Sequence, residues 1–287
     1  MVFAFLIFCA ISFKESPVLL DQIECDQHGF SCNTIDGVPG PKTDRARLFA
    51  AKAGVGKLNH PFRVVTVTQA DLDALVQIPA EPADKAKLPR MGYETIKEMF
   101  AERGHMSQRG LERLNPGVDW NNVRPGLELV IPDFPTSIES YLRPDVFNEG
   151  LIATLVRISL SKFEIAAYVN DSCVALFPCS IARDKSKLPP EGELKIVTCI
   201  PNPNYTYSPD HVPAGKKASK YVFPEGPNCP VGVAWMGLNL PGYGIHGTPR
   251  PESIGNAESH GCFRLANWNA ARLFYLVRPG TRVIIEQ

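Results

Sequence analysis

What the sequence lacks narrows its class first. Net charge is absent: 30 lysines and arginines stand against 30 aspartates and glutamates. Without an excess of one sign, no long-range field draws the chain to nucleic acid or to an anionic membrane surface. No internal apolar run approaches the roughly 20 residues that span a bilayer. The eight cysteines and six histidines show no C-x-x-C or H-x-x-x-H spacing, so the usual zinc-ligand pairs are missing. A basic residue is also missing before Lys14, although MVFAFLIFCAIS has the length of a signal-peptide h-region.

At 287 residues there is room for two or three domains with real cores. The 22 glycines and 26 prolines suit a loop-rich, strand-rich chain more than a helical bundle. Residues 1–16 read as the remnant of a secretion signal, with a short buried helix as the alternative. Phe8 stands before Cys9 where a lipobox carries a small residue, so lipidation is not expected. An exported chain could pair some of its cysteines. Cys25 and Cys32 could meet across a turn, whereas Cys173 and Cys179, six residues apart on one strand, lie about 20 Å from each other and cannot bond. The alternative is that most cysteines serve as small buried hydrophobes.

The densest chemistry lies in GYGIHGTPRPESIGNAESHGCFRL, Gly242 to Leu265. His246-Gly247-Thr248 and Ser259-His260-Gly261-Cys262 bring imidazole and thiol into one glycine-rich run. A cysteine attacks as thiolate, and imidazole is the side chain suited to take its proton near neutral pH. Glycines beside the sulfur let backbone N–H groups approach an oxyanion.

H-G-T, then S-x-G (Ser253, Gly255), then S-H-G-C-x-R-L resembles the signature of the L,D-transpeptidase catalytic domain, the YkuD-type cysteine enzymes of bacterial cell walls. The resemblance implies Cys262 as nucleophile, attacking the carbonyl after the third residue of a tetrapeptide stem and leaving a thioester. It implies His246 as base, with the Gly247 carbonyl holding the other ring nitrogen in place of a triad carboxylate. His260 is the alternative base or an internal partner. The N–H groups of Gly261 and Cys262, with His260, are expected to form the oxyanion hole. Arg264 is expected to hold a stem carboxylate or lower the thiol pKa, an internal salt bridge being the duller role. Ser259, Thr248 and Tyr243 join it on the substrate side. No metal and no organic cofactor is implied.

Two stretches precede this domain. Leu19, Leu20 and Ile23 suggest a helix stopped near Gly29, and Ala46, Phe49 and Ala50 a second. Between them Gly29, Phe30, Ile35, Asp36, Gly37, Gly40 and Thr43 resemble a three-helix peptidoglycan-binding module, assigned to 17–58. Residues 62–133 read as strand (Arg63–Val67), helix (Tyr93–Arg103), helix (Ser107–Leu114), strand (Leu127–Ile131). With L-N-P and R-P-G turns this βααβ order resembles a LysM glycan-binding domain, interrupted by a proline-rich segment between Ala70 and Met91. Trp120 either stacks on a sugar or fills a small core.

A linker, 134–149, leads to residues 150–287, expected as a mixed, β-sandwich-like catalytic domain. Strands are predicted at Thr154–Leu160, Phe163–Val169, Cys173–Ile181, Val231–Leu238 and Thr281–Ile285, and a helix at Trp268–Val277. Proline-rich Pro201–Pro230 reads as a long loop, either a flap over the site or a surface decoration. Three other readings stay open: a zinc site from His246, His260 and Cys262; a wall-binding protein without activity; and, within the enzyme reading, an L,D-carboxypeptidase. Expected partners are peptidoglycan stem peptides and glycan strands, with no nucleic acid and no membrane span beyond the N-terminal segment. The expected state is an exported monomer in the periplasm or cell wall.

Overall fold

The computed structural model describes residues 13–55, 60–134, 137–142, 151–208, 220–259 and 261–287. The apolar start before Phe13, most of the 134–149 linker, the middle of the proline-rich loop and His260 lie outside the described residues.

Helix α1 (Pro17–Gln27) starts at Ser16, whose hydroxyl accepts from the Leu19 N–H, and helix α2 (Pro41–Ala53) ends on Gly54 at φ +67°. Buried Gln22 holds the I-D-G turn between them. Its Oε1 accepts from the Asp36 and Gly37 N–H groups, while Nε2 donates to Asp36, Val38 and Thr43. Strands β1 (Phe62–Thr66) and β2 (Glu128–Pro132) then pair antiparallel. Between them lie α3 (Gln69–Asp73), α4 (Pro82–Lys85), α5 (Ile96–Arg103) and α6 (Gln108–Leu114). Thr95 and Ser107 cap the last two helices through their hydroxyls. The interrupting 70–91 segment thus folds into two short helices. A further turn, α7 (Ile138–Tyr141), precedes the C-terminal region.

The C-terminal region supplies β3 (Leu155–Ser159), β4 (Glu164–Val169), β5 (Ser172–Pro178), β6 (Ile181–Ala182), β7 (Gly192–Pro201), β8 (Tyr205–Tyr207), β9 (Tyr221–Phe223), β10 (Ala234–Leu238), β11 (Gly244–His246), β12 (Ala257–Ser259), β13 (Phe263–Arg264), α8 (Asn267–Leu276) and β14 (Arg282–Glu286). Eight strands form one sheet in the order β13-β11-β10-β7-β14-β3-β4-β5. Its two edges meet, because Ser180, just past β5, exchanges both backbone hydrogen bonds with Arg264 of β13 (2.9 and 3.0 Å). The sheet is therefore curled, with α8 packed against it.

Several expectations change in detail. The domain expected as sandwich-like is one curled eight-stranded sheet, and the strand read at Cys173–Ile181 divides into β5 and β6, which leaves Cys179 between them. The strand read from Val231 starts at Ala234, because Gly232 at φ +61° turns the chain there. The loop Pro201–Pro230 contains a ribbon, β8 paired antiparallel with β9.

Strand alternation sorts the core. Ile165, Ala167, Ala175 and Phe177 face the interior of the curled sheet with α8. Their neighbours Ala166 and Leu176 face outward and join a second cluster with Leu19, Ile23, Phe30, Phe100, Leu111 and Leu129. The front of the chain thus packs on the back of the eight-stranded sheet. Burying one such phenylalanine contributes about 1.5–3 kcal/mol.

Candidate active site

Register decides which side chains share the site. Across β7, β10, β11 and β13 one row of partners runs Ile200, Trp235, His246, Arg264. The next row, Cys199, Met236, Ile245, Phe263, points to the opposite face and packs in or against the core. The first row lines a cavity of about 460 Å³, and Cys262, two residues before Arg264, lines it too. Tyr205 of the ribbon borders the same space, which favours the flap reading over a decoration.

His246 is buried, with Nδ1 2.7 Å from the Gly247 carbonyl and the Trp235 ring stacked at 5.5 Å. A carbonyl only accepts, so Nδ1 carries the proton and Nε2 is left as an acceptor. Burial lowers the imidazole pKa to about 4; the Gly247 carbonyl opposes this and Arg264 adds to it. Cys262 is half-buried and its thiol donates to the Gly242 carbonyl at 3.5 Å. Burial raises the thiol above its ordinary 9.0, against a backbone hydrogen bond at Gly244 and the Arg264 charge. The resting pair is therefore a neutral thiol and a neutral imidazole, arranged for general-base activation rather than a stored ion pair. Alkylation of Cys262 by iodoacetamide is accordingly expected to accelerate continuously with pH through neutrality and beyond 9. A rate already level between pH 5 and 7 would contradict this protonation state.

The turn after His246 is shaped from the start of α8. A Cβ on Gly247 would stand 2.4 Å from Asn267 Oδ1, and one on Gly232 2.1 Å from it, so both positions require glycine. Asn267 Nδ2 donates to both oxygens of Glu102 (3.1 Å each) and to the Pro227 carbonyl (3.0 Å), tying helix α5 to the end of the proline-rich loop. The Tyr93 hydroxyl also donates to Glu102 (2.9 Å). Burial pushes the Glu102 pKa from 4.5 up to about 8, against the Tyr93 and Asn267 hydrogen bonds. Below pH 4.5 this carboxyl is protonated whether the chain is folded or not. From there to about pH 8 the unfolded chain ionises it first, so its contribution to stability falls as pH rises. Glu102→Gln is expected to flatten the decline of melting temperature between pH 5 and 9. An unchanged slope would show that Glu102 does not cause it.

The remaining predicted residues divide. Gly261 sits at φ +151°, a backbone geometry that favours glycine, immediately before the thiol. The Tyr243 hydroxyl donates to the Lys187 carbonyl at 3.1 Å, bracing the loop opposite Gly261. Thr248 is buried and its hydroxyl accepts from the Arg250 N–H at 3.4 Å, away from the thiol's cavity. The backbone of Ser259 lies in β12 against β6. No disulfide joins the described cysteines, Cys25 and Cys32 included. Among the described residues no three His, Cys, Asp or Glu side chains gather as a metal site requires. Trp235 and Ile200 were not foreseen as site residues; their only signal is cross-strand register.

A family model of the L,D-transpeptidase catalytic domain, YkuD, matches residues 153–285. The YkuD protein of Bacillus subtilis (strain 168), named an L,D-transpeptidase, is 46% identical over 194 residues, which cover 68% of this chain and 94% of that protein. The chain belongs to the L,D-transpeptidase family. Its relative in Bacillus licheniformis, also named an L,D-transpeptidase YkuD, is 28% identical over 67% of this chain and 93% of its own length. A solved L,D-transpeptidase from Mycobacterium smegmatis aligns with a TM-score of 0.37 at 18% identity, over 46% of this chain and 58% of that one. Cys262 and His246 of this transpeptidase lie within the matched residues, and Glu102, outside them, bonds to Asn267 within them.

Proposed function

We propose that this L,D-transpeptidase acts on peptidoglycan stem peptides through Cys262. Its sulfur attacks the carbonyl after the third residue of a tetrapeptide stem, the C–N bond breaks, and the terminal D-residue leaves as an amine. His246 Nε2 takes the thiol proton and passes it to the departing nitrogen, while the Gly247 carbonyl holds the ring in that tautomer. The N–H groups of Gly261 and Cys262 receive the oxyanion. An amine then takes the acyl group from sulfur, giving a 3–3 cross-link, an exchanged D-residue or an anchored lipoprotein; water instead gives L,D-carboxypeptidase activity.

One observation carries this reading: a buried imidazole with Nδ1 tied to Gly247 lines the same cavity as the thiol. An inactive wall-binding protein would have no use for that tie. Residues 17–58 and 62–133 are read as wall-binding modules that raise the local concentration of substrate. A peptidoglycan substrate supports reading the enzyme as exported, to periplasm or wall; we further read it as a monomer. Among the described residues no helix is long and apolar enough to cross a membrane.

The test is mass spectrometry of the protein with a disaccharide-tetrapeptide, alone and with a free D-amino acid. A thioester adduct on Cys262 and exchanged or dimeric product support transpeptidation, and tripeptide alone points to the carboxypeptidase. No adduct and no product would remove the reading.

A further inference from the structure

The Gly247 carbonyl sets the proton on His246, so whatever holds that carbonyl bears on the base. The chain is pinned up to this residue: the Leu265 N–H donates to the His246 carbonyl (2.8 Å) and the Gly247 N–H to the Ala234 carbonyl (3.2 Å). The Gly247 carbonyl comes next, with His246 Nδ1 at 2.7 Å, and a glycine has no side chain to restrain its rotation. Packing restrains it instead. A Cβ on Gly232 would stand 2.6 Å from both Cα and C of Gly247, and one on Gly247 2.4 Å from Asn267 Oδ1.

Asn267 is fully buried in the first turn of α8. Three acceptors converge on its Nδ2: the two Glu102 oxygens and the Pro227 carbonyl. An amide nitrogen donates and its oxygen accepts, so these acceptors decide which end faces the glycines. Oδ1 therefore faces Gly232 and Gly247, and among the described residues it receives no hydrogen bond. Glu102 supplies two of the three acceptors, from helix α5, 165 residues away along the chain.

Helix α5 reaches Gly247 by a second route. Glu98, one turn before Glu102, accepts from Asn228 Nδ2 (2.7 Å), and the Asn228 N–H donates to the Met91 carbonyl (3.0 Å). The next residue, Cys229, accepts at its carbonyl from the Gly232 N–H (2.8 Å). Glu98 thus steadies the stretch that lays Gly232 against Gly247, while Glu102 aims Asn267 at both. Stability alone does not account for the Glu102 carboxyl. Such a group is costly to bury, and apolar side chains of matching shape in place of both partners would cost little.

Resting on the reading of His246 as base, we infer that Glu102 is a positioning residue for acyl transfer: through Asn267 it keeps the Gly247 carbonyl on His246 Nδ1. Glu102 itself touches neither thiol nor substrate. Released from that carbonyl, the imidazole is free to carry its proton on Nε2, where it cannot take one from Cys262. The stretch 62–133, read as a wall-binding module, then also completes the catalytic base.

Full-length protein carrying isotope-labelled histidine tests this by the ring-nitrogen shifts at pH 7. Burial lowers the His246 pKa to about 4, so the ring is neutral there and the shifts report its tautomer. Among the six histidines, the His246 signals are those missing from His246→Ala. Wild type is expected to carry the proton on Nδ1. Glu102→Met, of similar length but without acceptors, should populate the Nε2–H tautomer. It should also lower kcat by about 10- to 10²-fold with KM little changed, the cost of a misplaced catalytic group. Glu102→Gln keeps one acceptor for Asn267 and should restore most of both. Tyr93→Phe removes the other hydrogen bond to Glu102 and should lower the melting temperature while tautomer and kcat stay as in wild type. Asn267→Ala should reproduce Glu102→Met and serves in its place should that variant not fold. A wild-type proton on Nε2, or ring signals unchanged in whichever of these two variants folds, overturns the inference. A fall in kcat with unchanged ring signals, shared by Tyr93→Phe, makes Glu102 a packing residue and overturns it too. Tautomer changes as expected but no acylation of wild type by the tetrapeptide would overturn the transpeptidase reading instead.

Discussion

Cys262→Ala is expected to abolish acyl transfer, lowering kcat/KM by about 10⁴-fold or more, the scale seen when a nucleophile is removed from a unit that acts together. The fold should survive. The side chain is half-buried, lines a cavity and gives one hydrogen bond to the Gly242 carbonyl, so its loss opens no void in the packed core. Wall pull-down and the melting temperature are therefore expected to match wild type while the thioester adduct disappears from the mass spectrum. Turnover retained in this variant would place the chemistry elsewhere. Lost turnover with a collapsed melting temperature would make Cys262 a packing residue.

His246→Ala is expected to cost about 10²–10⁴-fold, the range of a positioned general base. Its pH profile separates base from scaffold. In wild type the imidazole is protonated only below about 4, so kcat/KM should rise through that value and then level. Without His246 that limb should vanish, and the remaining rate should climb with hydroxide, because only ionisation of the raised thiol supplies a nucleophile. A limb near 4 that persists in His246→Ala would assign the titration to another group.

The nucleophile and base were legible because their motif is local: Gly242 to Leu265 holds His246 and Cys262 within one stretch of chain. Helix α5 was legible for the same reason, through the local apolar spacing of Ile96, Met99 and Phe100, although it starts at Ile96 and not at Tyr93. What stayed hidden depends on register or on distant contacts. Trp235 joins the site because it is paired with His246 across β10 and β11, and no spacing along the chain announces that. The ribbon in the proline-rich loop consists of three-residue strands, too short for alternation to show. Val231 to Val233 read as strand because a buried turn is as apolar as a buried strand, and Gly232 was the one sign against it. Glu102 lies in the helix read at Tyr93–Arg103, and nothing along the chain announces that Asn267 and Tyr93 hold it in the interior.

Phe30 bridges Leu176 in parallel, with the Ser31 N–H donating to the Leu176 carbonyl and the Leu176 N–H to the Gly29 carbonyl (2.8 and 2.9 Å). Strand β5 is the outer margin of the eight-stranded sheet, so these bonds occupy backbone groups that would otherwise invite another chain to add on. The segment read as a module for gripping the wall therefore doubles as a guard on the catalytic sheet. The family match begins at 153, whereas the backbone groups on the outer margin of its sheet are covered by residues that come before it.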